Sequence, residues 1–178
     1  MPTLLASLGV ALTLARVAAP VEGVAPPRTV QLALTVGIDI TVPASANLGT
    51  GFVGGVLTGQ LGTVQVRDQR GNVNPNLWVA TVSATAFTTA GGGAQRTITN
   101  GQIAYWSGPV VHSSGGGTLV PGQPTSAQAV TLNVTREAFR KTAGNGNNTV
   151  SWAPTIRVTV PATVVAGTYQ GTITHSVA

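Results

Sequence analysis

Few side chains in this 178-residue chain could do acid–base chemistry. The acidic residues and histidines are Glu22, Asp39, Asp68, His112, Glu137 and His175. A glycoside hydrolase needs two facing carboxylates, and Asp39 and Asp68 could meet in space. Neither belongs to a recognisable motif, however, and Asp68 lies in a turn-rich stretch where Asp commonly caps backbone amides. We therefore predict no catalytic residues, and we expect that the protein is not an enzyme.

A metal or nucleotide site has equally little support. The chain contains no cysteine, and a zinc site would need a third ligand beside its two histidines. His112 lies in a Gly/Ser-rich loop, where we expect it to be solvated. The glycine-rich stretch GTGFVGGVLTG lacks the lysine and the following helix of a phosphate-binding loop. We predict no metal and no cofactor.

The aromatic residues are better candidates for binding. Tyr105 and Trp106 are adjacent on a predicted strand, so their side chains point to opposite faces. If one is buried, the other is exposed, and an exposed flat ring can stack on a sugar. The same ring could instead simply shield a sheet edge or a loop.

The elements that position these residues are predicted to be β-strands. Only 7% of the residues are charged and 4% are aromatic, and Gly, Pro, Val and Thr are abundant. Short alternating segments with turn residues between them indicate an all-β fold. We predict an antiparallel, Greek-key-like β-sandwich of about nine or ten strands with little or no helix. Residues 109–126 are predicted to be a long flexible insertion, and residues 136–149 a polar excursion that could hold one helical turn.

Individual strands have a predicted inward face. Val64 and Val66 should point inward from one strand, and Trp78, Ala80 and Val82 from another. The segment RTVQLALTV, residues 28–36, also alternates as a half-buried strand does.

The amino-terminal residues resemble an export signal rather than part of the fold. An apolar run from Leu4 to Ala15 is too short to span a bilayer, which takes about 20 residues. It fits the apolar region of a signal peptide, although no Lys or Arg precedes it. We predict a signal peptide over residues 1–23, because cleavage after Gly23 is plausible whereas Pro20 hinders cleavage after Ala19. We also predict a single domain over residues 24–178, no transmembrane anchor and a secreted protein. An apolar strand of the domain itself is the alternative.

The net charge is +5, from nine basic and four acidic residues. The basic residues cluster only at Arg136, Arg140 and Lys141. This cluster could attract an anionic polymer, or it could be a solvated face that keeps the protein soluble. Basic residues are not interleaved with aromatics, so nucleic acid is not an expected partner.

Three segments, NLWVATVSATAFTT, GQIAYWSGPV and VPATVVAGTYQGTITHSVA, resemble the WxL-domain family of Gram-positive surface proteins, in the shorter form of exported actinobacterial proteins. The similarity covers roughly residues 30–178. Trp78-Val79-Ala80 corresponds to the first Trp-x-Leu motif of the family. His175-Ser176-Val177, after Tyr169, corresponds to the second. Ala80 replaces Leu, and His175 replaces Trp.

The resemblance implies a secreted β-rich domain that associates non-covalently with peptidoglycan or another wall polymer. The residues expected to bind the wall glycan are Trp78, Ala80, Tyr105, Trp106, Tyr169, His175 and Val177. His175 could equally be a core residue or a pH-sensitive group. An alternative function is a structural subunit of an extracellular fibre or surface layer, which self-associates when an extended amino-terminal segment adds a strand to a neighbouring copy.

Overall fold

The computed structural model describes the backbone of residues 4–11 and the whole of residues 37–178. Within these ranges the chain forms sixteen strands and three short 3-10 turns, at Ala94–Arg96, Asn100–Gln102 and Ser126–Gln128. The strands are β1 Leu4–Ala11, β2 Ile38–Thr41, β3 Ser45–Ala46, β4 Val56–Gln60, β5 Val64–Asp68, β6 Trp78–Ala84, β7 Phe87–Thr88, β8 Thr97–Ile98, β9 Ile103–Trp106, β10 Val110–Gly115, β11 Thr118–Pro121, β12 Val130–Thr131, β13 Arg136–Ala143, β14 Asn148–Trp152, β15 Thr155–Thr159 and β16 Gln170–Val177.

The strands form three sheets. Sheet I has the order β11-β13-β6-β16-β1-β3, with the short β7 and β8 attached to β16. Sheet II has the order β10-β14-β5-β2, and sheet III the order β12-β9-β15-β4. All pairings are antiparallel except the two-residue pairing of β1 with β3. The predicted all-β sandwich is confirmed, with more strands than expected because several are only two residues long.

An apolar core lies between the sheets, and strand alternation explains its composition. Trp78, Ala80 and Val82 are buried in β6, and Val64 and Val66 are buried in β5, as the sequence predicts. Their outward neighbours are more exposed because successive strand residues face opposite sides.

Aromatic contacts connect the sheets across this core. Phe139 of sheet I stacks on Trp152 of sheet II with 4.8 Å between ring centroids. Tyr105 of sheet III lies 5.8 Å from the ring of His175 in sheet I.

Two segment predictions are wrong. Residues 109–126 are not simply a flexible insertion, since β10 pairs with β14 and β11 pairs with β13. Residues 136–149 hold no helical turn, since β13 runs from Arg136 to Ala143 at the centre of the β11-β13-β6 ladder. The strand β10 is exposed along its whole length. In β13 a bulge between Glu137 and Phe139 places the adjacent Ala138 and Phe139 both inside, so neither strand shows the apolar alternation that marks a strand.

The amino-terminal segment Leu4–Ala11 pairs with β16 over eight residues, from Leu4 opposite Val177 to Ala11 opposite Gln170. This strand lies inside the predicted signal peptide. Removal of residues 1–23 is a matter of processing and stays a prediction. The predicted strand at residues 28–36 lies outside the described residues.

Candidate functional site

The residues of the two motif-like segments lie mainly in the core. Five of the seven predicted glycan-binding residues are at most 2% exposed: Trp78, Ala80, Tyr105, His175 and Val177. These five side chains have no surface to offer a polymer in this conformation. Trp106 and Tyr169 are half-buried and remain accessible. As the alternation predicts, Tyr105 points inward and Trp106 outward.

His175 ends a buried chain of polar groups. The indole Nε1–H of Trp152 donates to Tyr105 Oη over 3.4 Å, and Tyr105 Oη lies 3.2 Å from His175 Nε2. When the Tyr105 hydroxyl donates to Nε2, the neutral imidazole carries its own proton on Nδ1. Nδ1 is buried and has no hydrogen-bond partner among the described residues. His175 is therefore a core residue with only one of its two nitrogens satisfied.

Burial controls the protonation of His175 and Tyr105. Loss of water around His175 lowers its pKa to about 4, so the imidazole is neutral near pH 7. Burial raises the pKa of Tyr105 far above its ordinary value, against the opposing hydrogen bond from Trp152. Neither group supplies or takes up a proton near neutral pH.

The acidic side chains of Asp39 and Asp68 point to opposite faces of sheet II, because Asp68 is opposite Ile38 and Asp39 is in the next row of the β2–β5 pairing. Burial alone would raise the pKa of Asp68, but hydrogen bonds from Arg70 and the guanidinium charge outweigh it, and the pKa is lowered. Arg70 Nε lies 3.0 Å from Asp68 Oδ1, and the Arg70 amide also donates to that oxygen, which is the capping role that the sequence predicts. Asp39 lies opposite Arg67 in the β2–β5 register, and Glu137 pairs with Arg140.

The predicted basic cluster is dispersed. Lys141 is only 2% exposed, and burial lowers its pKa. Arg140 pairs with Glu137, and Arg136 donates to the carbonyl oxygen of Thr131. These residues do not form a cationic patch.

The outer face of sheet III brings together a different group of residues. The strand register places Gln60, Thr155 and Trp106 in one row across three neighbouring strands. The next row holds Thr58, Arg157, Ala104 and Thr131. We call these seven residues the Trp106 face.

The geometry of an antiparallel sheet sets the spacing on the Trp106 face. Directly opposite residues have Cβ atoms about 4.5–5.5 Å apart, and diagonal neighbours are about 7–8 Å apart. Trp106 and Arg157 are diagonal neighbours, because Trp106 is opposite Thr155. Arg157 is exposed, and its side chain makes no hydrogen bond or ion pair to any residue that the structure describes. The Trp106 ring, the Arg157 guanidinium and the polar groups of Thr58, Gln60 and Thr131 therefore share one solvent-facing surface, with Thr155, only 8% exposed, between them.

This combination suits the recognition of a carbohydrate with acidic groups. An indole offers a broad apolar face with one N–H donor. The guanidinium of Arg157 can bind a carboxylate or phosphate with two parallel hydrogen bonds. Hydroxyl and amide groups, such as those of Thr58 and Gln60, can donate to and accept from sugar hydroxyls.

Sequence analysis identified Trp106 but missed the rest of its face. Alternation in TIRVT is enough to turn Arg157 outward when Ile156 and Val158 are inside. Which strands lie next to each other is not visible in such a pattern, because β9, β15 and β4 are far apart in the chain.

An apolar groove lies at one end of the fold, between sheet III and the β7–β8 ribbon. Its volume is about 130 Å³, and its wall includes Phe52, Leu57, Phe87, Val164 and Tyr169. The Phe52 ring projects from the rim and is 89% exposed. Tyr169, one of the predicted glycan-binding residues, thus lies in the groove and not beside Trp106.

No protein-family model, curated protein or solved structure matches this chain. The resemblance to the WxL-domain family stays a prediction. Within residues 4–11 and 37–178, no three His, Cys, Asp or Glu side chains lie close enough to hold a metal ion. Over the same ranges, none of the helical segments has the length and apolarity needed to cross a membrane.

Proposed function

We propose that the protein is secreted and non-catalytic, and that it associates non-covalently with a cell-wall polymer through the Trp106 face. The observation that carries the proposal is the exposed Arg157 beside the outward Trp106 on a sheet whose other face is packed core. The sheet fixes the spacing of the two residues, and the half-buried Trp106 ring has little side-chain freedom to lose on binding. The export-like amino terminus and the resemblance to wall-associated domains agree with this function.

The arrangement of the carboxylates supports binding over catalysis. Asp68 is committed to Arg70, and Glu137 is committed to Arg140. General acid–base hydrolysis of a glycan uses two carboxyl groups on either side of one bond. The ligand expected from the Trp106 face is an anionic glycan, such as a polymer with phosphate or carboxylate groups.

Co-sedimentation with purified cell wall tests this proposal. Trp106→Ala should lower the affinity for the wall about tenfold, since truncating a central Trp commonly costs more than about 1.4 kcal/mol of binding free energy. Arg157→Ala should weaken binding to anionic polymer more than binding to a wall stripped of its acidic polymers. Arg67→Ala, which removes an exposed arginine from sheet II, is the matched control.

Two results would contradict the proposal. One is a wild-type protein that stays in the supernatant at low salt. The other is equal retention of wild type, Trp106→Ala and Arg157→Ala, with all three proteins showing the same thermal unfolding.

A structural subunit that assembles by strand addition is a second candidate function. The observation that favours it is the pairing of Leu4–Ala11 along the full length of β16. If residues 1–23 are removed, this edge of β16 becomes a place where a strand from a neighbouring copy can pair.

Electron microscopy of the chain 24–178 at high concentration tests the second function. Fibres or sheets are expected, and a synthetic peptide of residues 4–11 should inhibit their formation by pairing with the same edge. Only monodisperse monomers at high concentration would contradict it.

A further inference from the structure

The apolar groove beside Phe52 has a buried floor and an open mouth. Phe87, Ile98, Val158 and Val164 line it and are each at most 6% exposed. The sole hydroxyl that the lining contributes is Tyr169 Oη, which donates to the carbonyl oxygen of Val165 over 2.8 Å. None of the described lining residues carries a charge. They therefore offer no unpaired polar side chain to an occupant, and the groove suits an apolar one.

The size of the groove matches one aromatic ring. An engineered apolar cavity of about 150 Å³ takes up a benzene molecule, and this groove has a volume of about 130 Å³. A sugar ring fits its chemistry poorly, because sugar hydroxyls would lose their hydrogen bonds to water without replacement.

A suitable ring projects from the rim of the same groove. Phe52 is 89% exposed, which is unusual for a phenylalanine, and Val53 and Val56 beside it are 44% and 59% exposed. The Gly55 amide donates to the Phe52 carbonyl oxygen over 3.0 Å, and Gly54 has a φ of 80°. This tight turn uses the left-handed conformation that glycine adopts without strain, and it begins at Phe52, whose ring lies at the rim of the groove and is open to solvent.

A protruding ring and a ring-sized groove on one surface are complementary to each other across a two-fold axis. Such an isologous contact uses the same patch on both copies. We propose that the protein self-associates through this surface, with Phe52 of each copy entering the groove of the other.

The area of this contact sets its strength. A buried Phe covers on the order of 150–250 Å², so two rings contribute about 300–500 Å². The flanking valines and the groove walls must supply the rest of the roughly 1,000 Å² that a specific interface needs. The dimer is weak in dilute solution and forms at high local concentration, as on a crowded surface. It needs no wall polymer and is independent of the Trp106 face.

Sedimentation velocity of the full chain in buffer without polymer tests the proposal. The weight-average sedimentation coefficient should rise with protein concentration, and Phe52→Ser should weaken association at least tenfold. Phe52 is almost fully exposed, so this substitution leaves the core intact. The control is Val111→Ser, which also replaces an exposed apolar residue with Ser. Val111 is 62% exposed and lies on β10, so this variant should associate as wild type does.

A second variant closes the groove and leaves Phe52 in place. Ala166 is exposed and lines the mouth, so Ala166→Trp should fill the entrance and weaken association as Phe52→Ser does.

A mixture of equal amounts of ¹³C-methyl-labelled and unlabelled wild-type protein should give nuclear Overhauser effects between copies, from Phe52 ring protons to the Val164 and Val165 methyls.

Three outcomes would overturn the proposal. The first is a monomer at all concentrations up to about 1 mM. The second is association that Phe52→Ser and Ala166→Trp leave unchanged. The third is Overhauser effects from Phe52 to the groove methyls within one copy only, which would make the ring a cover for its own groove.

Discussion

His175 is a polar residue that is fully buried in the core. Its Nε2 pairs with Tyr105, but Nδ1 has no partner in the described part of the chain. A buried polar atom left without a hydrogen bond costs about 1–3 kcal/mol. The side chain is held because Tyr105 and Trp152 surround the ring, and these three residues connect all three sheets. His175 therefore stabilises one arrangement of the sheets and at the same time makes that arrangement sensitive to acid.

The stability of the fold should fall as the pH falls from about 6.5 to 4. The pKa of His175 is about 4 in the folded chain and near 6.5 when unfolded, so in this window the unfolded chain binds more protons. Between pH 7 and pH 4.5 the loss is about 2 kcal/mol. His175→Gln keeps an acceptor for the Tyr105 hydroxyl and should remove this loss. Urea unfolding of both proteins at the two pH values measures it.

The pH window separates His175 from Asp68. The pKa of Asp68 is lowered in the folded chain, so the stability that its ion pair contributes is present above the unfolded value of about 3.8 and is lost below it. Equal losses in wild type and His175→Gln between pH 7 and pH 4.5 would contradict the assignment to His175.

At the scale of elements, β16 is central to sheet I. It pairs with β6 on one side and with β1 on the other, and its residue Gln170 pairs with β7. Gly171 lies where the ring of Phe87 covers the strand, and a Cβ built at Gly171 would overlap that ring. A glycine inside a strand commonly marks such a close approach. Here it lets β7 pack against the same strand that carries His175.

Gly171→Ala should destabilise the protein by about 2–3 kcal/mol, because the added methyl group displaces Phe87. For a domain of this size, this corresponds to a decrease in Tm of roughly 5–10 °C. The control is Gly101→Ala, where the nearest heavy atom, Thr99 Oγ1, is 3.8 Å from the added carbon. Calorimetry of both variants measures the difference. A Gly171→Ala variant within about 1 °C of the control would show that Phe87 moves without cost.

Alternation along the chain predicted what each strand buries, but not which strands are neighbours. The inward Val64 and Val66, and the opposite orientations of Tyr105 and Trp106, follow from a period of two residues. The strands β10 and β13 lack this signal, because β10 is exposed along its length and a bulge in β13 buries two adjacent residues, Ala138 and Phe139. The Trp106 face depends on pairing between β9, β15 and β4, and the partners of a strand are set by the packing of the whole fold.

At the scale of the whole molecule, the net charge of +5 is spread out and not concentrated in one patch. Among the described residues Lys141 is buried, and the arginines that form no ion pair lie on four different elements: Arg67, Arg96, Arg136 and Arg157. Arg157 is the cation that the Trp106 face contributes. Attraction of the protein to an anionic wall by net charge alone should therefore be small. The ring of Trp106 and local hydrogen bonds must supply most of the affinity.

Wall binding should accordingly depend only weakly on salt. The Debye length falls from about 10 Å at 0.1 M to about 3 Å at 1 M ionic strength, which removes long-range attraction but leaves ring stacking. Raising NaCl from 50 to 500 mM should lower the affinity for purified wall less than about fivefold, roughly what one exposed ionic contact contributes. Arg157→Ala should remove most of this remaining salt dependence, whereas Trp106→Ala should lower affinity at both salt concentrations. Complete release of the wild-type protein at 150 mM NaCl would show that net charge, and not the Trp106 face, holds it to the wall.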